Sequence, residues 1–114
     1  LGKWWNDRTG LPLPLGANAV RRDLGAEIVA GISRDLKAGI EYAMAHRDEA
    51  LRYAAQFGRG MDIARTDRFV SMYVNRFSLD YGERGRRAIA ALLEEGWKAG
   101  VIPHRTEVRF AGEL

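Results

Sequence analysis

The two histidines are the side chains in this sequence best suited to acid–base chemistry, because a neutral imidazole can accept a proton near pH 7. His46 is expected at the end of a helix, where the helix dipole favours a positive side chain. His104 follows Pro103 in an expected loop. Both positions are typical of capping or surface histidines, so we assign no catalytic residue to this chain.

Metal and phosphate sites also lack a sequence signature. Histidine, aspartate and glutamate do not cluster at metal-ligand spacing, and cysteine is absent, so we expect no metal site and no cofactor. Gly82 and Gly85 resemble the start of a phosphate-binding loop. Neither a G-x-G-x-x-G nor a Walker pattern follows them, and we interpret both glycines as the entry to a helix.

The residues predicted to contact a ligand lie in the segment L-P-L-P-L-G and just after it. Glycine permits close backbone approach, and an asparagine amide offers donors and acceptors. The predicted contacts are Leu13, Pro14, Leu15, Gly16 and Asn18. Trp4 and Trp5 could wall a pocket, but tryptophans on a short amphipathic helix more often pack against the protein.

The elements that position this segment are mostly helices. Apolar residues at helical spacing predict a helix over residues 26–46 and a shorter one from Asp48 to the glycines after residue 57. A third helix is predicted over residues 62–76, with its apolar residues directed inward. A fourth is predicted to begin at Asp80, which would form a capping box with Glu83, and to end at Gly100.

Two short strands are predicted beside these helices. The prolines force residues 11–15 into extended backbone but cannot donate to a sheet. Pairing becomes available only over residues 17–22, where we predict one strand, and a second is predicted over residues 107–110. Two interpretations of residues 11–15 remain open: a rigid linker into an edge strand, or a crossover that lines the cleft between two lobes.

Composition sets the class of protein. The chain has 114 residues with 46% hydrophobic and 29% charged residues, as in a globular domain. The net charge is +3, but the arginines are scattered among fifteen acidic residues without interleaved aromatic residues. This pattern indicates a solvated surface, so we expect no nucleic-acid partner. No apolar run reaches the length of a membrane helix, and we expect no membrane partner.

Several blocks of the sequence together resemble one enzyme family. They are W-W, T-G-L-P-L-P-L-G, R-R-D-L-G, Y-V-N-R-F-S-L-D-Y-G-E-R-G and G-V-I-P. The chain resembles, over nearly its whole length, the 1,4-dihydroxy-6-naphthoate synthase family of the futalosine route to menaquinone. The related chorismate dehydratases have an apolar strand after T-G-L-P, so Arg21, Arg22 and Asp23 favour the synthase family over that alternative.

The resemblance implies an α/β fold of the periplasmic-binding-protein type II class, with an active site between two lobes. Residues 1–16 would then be an interlobe crossover segment, and residues 17–114 the C-terminal part of the larger lobe, with one strand and about four helices. The implied reaction is the conversion of cyclic dehypoxanthine futalosine to 1,4-dihydroxy-6-naphthoate by a cytoplasmic lyase. A non-catalytic solute-binding lobe of the same architecture is the other interpretation.

The resemblance also implies that the chain is a C-terminal portion of the family protein. The family's histidine base lies in an upstream I-H-E motif that this sequence lacks, so we predict that the isolated chain is inactive. Burial of the apolar face of the helix over residues 26–46 would require the missing part. We therefore expect the chain to pair with another copy, to aggregate, or to be rescued by the N-terminal portion supplied separately.

Overall fold

The computed structural model describes residues 1–58 and 60–111, and these residues are predominantly helical, as predicted. The helices follow one another in chain order. They are α1 (Gly2–Thr9), α2 (Ala26–Ala45), α3 (Arg47–Ala55), α4 (Ile63–Tyr73), α5 (Arg76–Leu79) and α6 (Gly82–Lys98), with a short 3₁₀ helix (Arg22–Leu24) before α2.

The described chain divides into two compact units. The first consists of residues 1–19 and the described residues from Tyr81 onward, and it contains α1 and α6. Its buried apolar side chains within the described residues are Trp5, Leu11 and Ala88. The carbonyl oxygen of Gly10, directly after α1, accepts a hydrogen bond from Arg84 of α6 at 2.9 Å. The tryptophan and this bond thus fix the end of α1 within the unit.

The second unit consists of Val20–Asp80 and contains helices α2 to α5. Helix α3 packs against α4, while α2 contacts α3, α5 and the 3₁₀ helix. Arg47 at the start of α3 donates through Nε to Asp67 at 2.8 Å and through Nη2 to Ser71 at 2.6 Å, both on α4. Val29 and Leu51 are the buried apolar side chains of this unit within the described residues.

The predicted strands are wrong. Residues 12–21 and 105–110 belong to no helix, strand or bridge, and no strand is present anywhere in residues 1–58 and 60–111. A strand needs a partner for its backbone groups. Residues 17–21 are instead exposed in an irregular conformation, and Arg22 begins the 3₁₀ helix.

The predicted cap of the last helix is also wrong. Helix α6 begins at Gly82 with Tyr81, not Asp80, as its N-cap residue, and the Tyr81 side chain makes no capping hydrogen bond. Tyr81 already has helical backbone angles, and its carbonyl oxygen accepts the Gly85 N–H at 2.9 Å. Asp80 instead ends α5. The predicted end of α6 is confirmed, since Gly100 follows the helix with a left-handed φ of 72°.

The third predicted helix ends earlier than predicted, and a separate short helix follows it. Helix α4 ends at Tyr73 and α5 begins at Arg76, because Asn75 caps α5 with its side chain. Two of the residues predicted to point inward are almost half exposed, Phe69 at 47% and Tyr73 at 48%. Periodicity therefore located the helical region but overestimated its burial.

Candidate functional site

The five residues predicted to contact a ligand lie in one irregular, accessible segment. Leu13 and Pro14 are half-buried, whereas Leu15, Gly16 and Asn18 are exposed. The segment has no backbone ladder to either side, because residues 12–21 form no strand. Its position must therefore be fixed by side chains at its beginning.

Helix α1 supplies the first of these contacts. The indole Nε1 of Trp5 donates to the carbonyl oxygen of Pro12 at 3.0 Å, and the Asn6 amide donates to the carbonyl oxygen of Leu11 at 3.3 Å. Trp5 is only 3% exposed. A buried indole N–H requires an acceptor, and a proline segment has carbonyl oxygens that no ladder uses. The packing interpretation of Trp5 is thus confirmed, with an added role in holding the segment.

Thr9 connects the helix end to the same segment. Its hydroxyl donates to the Trp5 carbonyl oxygen at 2.7 Å and accepts the N–H of Leu11 at 3.1 Å. Because Leu11 is buried, both its backbone and its side chain are fixed before the first proline. The framework formed by Trp5, Asn6, Thr9 and Arg84 was missed in the sequence. The available signal was the indole donor just before a proline segment with unused carbonyl oxygens.

Gly16 is the most open position in the segment. A Cβ atom built on it meets no other atom within 4 Å, and its φ lies outside the left-handed range. The fold itself therefore does not require glycine here. Space at the backbone is available to a ligand, and the exposed Asn18 amide lies close by in sequence.

The chemistry offered by these residues is binding rather than proton transfer. Leu13, Pro14 and Leu15 provide apolar surface, while Gly16 and Asn18 provide backbone groups and an amide. None of the five titrates near neutral pH. The segment therefore offers surface suited to a partly apolar ligand with polar edges, and these five side chains offer no group for proton transfer.

The double arginine lies ahead of α2, in the second unit. Arg21 donates through Nε to Asp23 Oδ1 at 2.9 Å and through Nη2 to Asp23 Oδ2. This two-point contact lowers the pKa of the Asp23 carboxyl and raises the pKa of the Arg21 guanidinium. Arg21 and Asp23 thus satisfy each other in the turn before the helix.

The histidines lie where the sequence predicted. His46 is the C-cap residue of α2. Its ring stacks on Tyr42 with centroids 4.0 Å apart, and its Nδ1 lies 2.9 Å from the Tyr42 carbonyl oxygen. His104 is exposed in the loop after α6, where its carbonyl oxygen accepts the Thr106 hydroxyl at 3.3 Å. Neither histidine is assigned a catalytic role.

The other tryptophan of the pair has a different environment from Trp5. Trp4 is 56% exposed, and the Arg8 guanidinium lies 5.7 Å from its ring centroid. Its contact is therefore a surface cation–π interaction. A pocket-wall role for Trp4 has no support among these contacts.

Metal ligands and membrane-spanning helices are two further features that bear on function. No group of three or more histidine, cysteine, aspartate or glutamate residues is placed to hold a metal ion in residues 1–58 and 60–111. Among the same residues, no helix is both long and apolar enough to cross a bilayer.

Comparison with known proteins gives a consistent result. The family described as menaquinone biosynthesis matches residues 1–97. A 1,4-dihydroxy-6-naphthoate synthase of Thermus thermophilus is 44% identical over 101 residues, which cover 89% of this chain and 37% of the relative. A Streptomyces coelicolor enzyme of the same name is 35% identical over 103 residues, which cover 90% of this chain and 36% of the relative. The chain thus spans little more than a third of the length of these curated relatives.

Proposed function

The chain belongs to the menaquinone-biosynthesis family, and from this premise we propose that it serves the formation of 1,4-dihydroxy-6-naphthoate. The observation that carries the proposal is its 44% identity over 101 residues to a relative named for that reaction. A second relative with the same name is 35% identical. Both names favour the synthase reaction over that of the related chorismate dehydratases.

The proposed substrate is cyclic dehypoxanthine futalosine, and the proposed reaction class is that of a lyase. In this proposal the segment from Leu13 to Gly16, with Asn18, forms part of the substrate-binding surface. Its open backbone at Gly16 and its fixed beginning at Trp5 support that role. The proton-abstracting base belongs to the part of the family chain that this sequence does not match.

The proposed architecture is the two-lobed periplasmic-binding-protein type II fold. Residues 1–16 would cross between the lobes, and the following residues would belong to the larger lobe. The irregular, side-chain-anchored course of residues 11–16 supports a crossover. We further propose a cytoplasmic location, which fractionation of the source cells would test.

A chimera tests the proposed reaction directly. This chain would replace the 101 matched residues of the Thermus thermophilus relative, and product formation from cyclic dehypoxanthine futalosine would be followed by chromatography. We expect the chimera to form 1,4-dihydroxy-6-naphthoate. The intact relative, assayed in parallel, is the positive control.

Two outcomes of this experiment would contradict the proposal. One is a chimera whose thermal unfolding and circular dichroism match those of the relative but which forms no product. The other is turnover of a different substrate class, such as chorismate, by the folded chimera.

A further inference from the structure

Helix α2 carries an unbroken exposed apolar stripe. It consists of Ile28, Ile32 and Leu36, spaced four residues apart. Their exposed fractions are 54%, 36% and 46%. Residues four apart lie on one side of a helix, so the three side chains form one continuous surface, which we name the α2 stripe.

The α2 stripe lies beside the surface that α2 buries within its own unit. Val29 is 1% exposed and Ile40 is half-buried, while α2 contacts α3, α5 and the 3₁₀ helix. One face of α2 therefore packs within the unit, and the neighbouring elements of the unit leave the α2 stripe exposed to solvent. Contiguous exposed apolar surface on a folded protein marks an interaction site.

A glycine on the same side of the helix supports this interpretation. Gly39 follows Ile32 and Leu36 at spacings that keep it on the face of the stripe. A Cβ atom built on it meets nothing within 4 Å. Glycine in a helix interior is unfavourable, and no neighbour in the described chain requires it. A small residue on this face would let another backbone approach closely.

The length of the relatives identifies the occupant. This chain covers only 37% and 36% of the two synthases, so nearly two thirds of the family chain lies outside the matched region. We propose that the α2 stripe is the docking surface for that unmatched part of the family chain. The proposal rests on the family membership behind the proposed function, but it does not depend on which reaction the family member performs.

The test compares the same two substitutions in two settings. Ile32→Asp and Leu36→Asp would be made in the isolated chain and in the chimera with the Thermus thermophilus relative. Because both side chains are exposed in the isolated chain, we expect its melting temperature to change by less than about 2 °C. In the chimera the same substitutions would place a carboxylate in an apolar contact, and we expect a fall of at least about 5 °C.

Lys37→Asp is the matched control, because Lys37 lies on the same helix but away from the stripe. We expect it to leave both melting temperatures unchanged within about 2 °C. Hydrogen exchange gives a second readout, with amides of residues 28–39 more protected in the chimera than in the isolated chain.

Equal effects of Ile32→Asp in both settings, or no effect in either, would overturn the proposal. So would sedimentation of the isolated chain as a dimer that Ile32→Asp converts to monomer while the chimera is unaffected, since a second copy would then be the occupant. The readouts are stability and assembly. An inactive chimera with the expected temperature shifts would therefore count against the reaction and leave the docking surface standing.

Discussion

Gly10 and Gly16 flank the leucine–proline segment, but only Gly10 is required by its backbone. Gly10 has a left-handed φ of 66° at the end of α1, where its N–H donates to the Asn6 carbonyl oxygen at 2.7 Å. Gly16 has open space around its missing Cβ and no left-handed φ. A glycine that the fold does not require is better explained by what approaches it.

Replacing Gly16 with alanine should therefore separate binding from folding. We expect Gly16→Ala to leave the free energy of unfolding unchanged or raised by up to about 1 kcal/mol. In the chimera we expect it to weaken substrate binding about tenfold, or ~1.4 kcal/mol. Urea unfolding and titration calorimetry measure the two effects.

Gly10→Ala is the control for this pair. It should lower the free energy of unfolding by about 1–2 kcal/mol because alanine is strained at positive φ. If Gly16→Ala instead destabilised the fold as much as Gly10→Ala while binding stayed intact, Gly16 would have a structural role and not a ligand-binding one.

Helices were predictable in this chain, whereas strands were not. Helix α2 was predicted almost to its ends, because its apolar residues and the following polar turn are local signals. The strand over residues 17–22 depended on a partner that no local pattern specifies. The anchoring of residues 11–12 by Trp5 and Asn6 could not be predicted either, because hydrogen bonds from side chains to backbone oxygens produce no periodic pattern in the sequence. Ligand contact by the residues from Leu13 to Gly16 and by Asn18 stays a prediction.

The joint between α4 and α5 offers a test at this scale. The Asn75 side chain accepts the Phe77 N–H at 3.0 Å and donates to carbonyl oxygens at the end of α4, while Ser78 accepts the Asn75 N–H at 3.1 Å. Because capping satisfies otherwise unpaired groups, we expect Asn75→Ala to lower the free energy of unfolding by about 1–2 kcal/mol. Urea denaturation measures the loss.

Asn75→Asp provides the comparison, because it keeps the acceptor for Phe77 but removes the amide donor to α4. It should lose only part of the stability that alanine loses. An alanine variant as stable as the parent chain would mean that packing alone holds this joint.

On the scale of the whole molecule, the described chain buries little apolar surface. Five apolar side chains are buried in residues 1–58 and 60–111: Trp5, Leu11, Val29, Leu51 and Ala88. The sequence predicted exposed apolar surface on α2, and Ile28, Ile32 and Leu36 are indeed exposed. Self-association of the chain stays a prediction.

The isolated chain should form no 1,4-dihydroxy-6-naphthoate from cyclic dehypoxanthine futalosine. The physical reason is that its predicted ligand segment carries no acid or base, and its histidines lie at a helix end and in a loop. A chromatographic assay at high protein concentration checks this. Product formed by the chain, and abolished by substituting His46 or His104, would return that histidine to a catalytic role.

The contact between the Trp5 indole and the Pro12 carbonyl oxygen has an evolutionary consequence. Trp5 is buried and donates a bond that phenylalanine or leucine cannot donate, whereas Trp4 is a surface residue stacked with an arginine. The two adjacent tryptophans are therefore under unequal selection. Packing within this unit therefore constrains Trp4 less than Trp5, because Trp4 makes only the surface contact with Arg8. Replacing Trp5 with phenylalanine should lose the bond to the Pro12 carbonyl oxygen, an acceptor that any residue at position 12 would still offer.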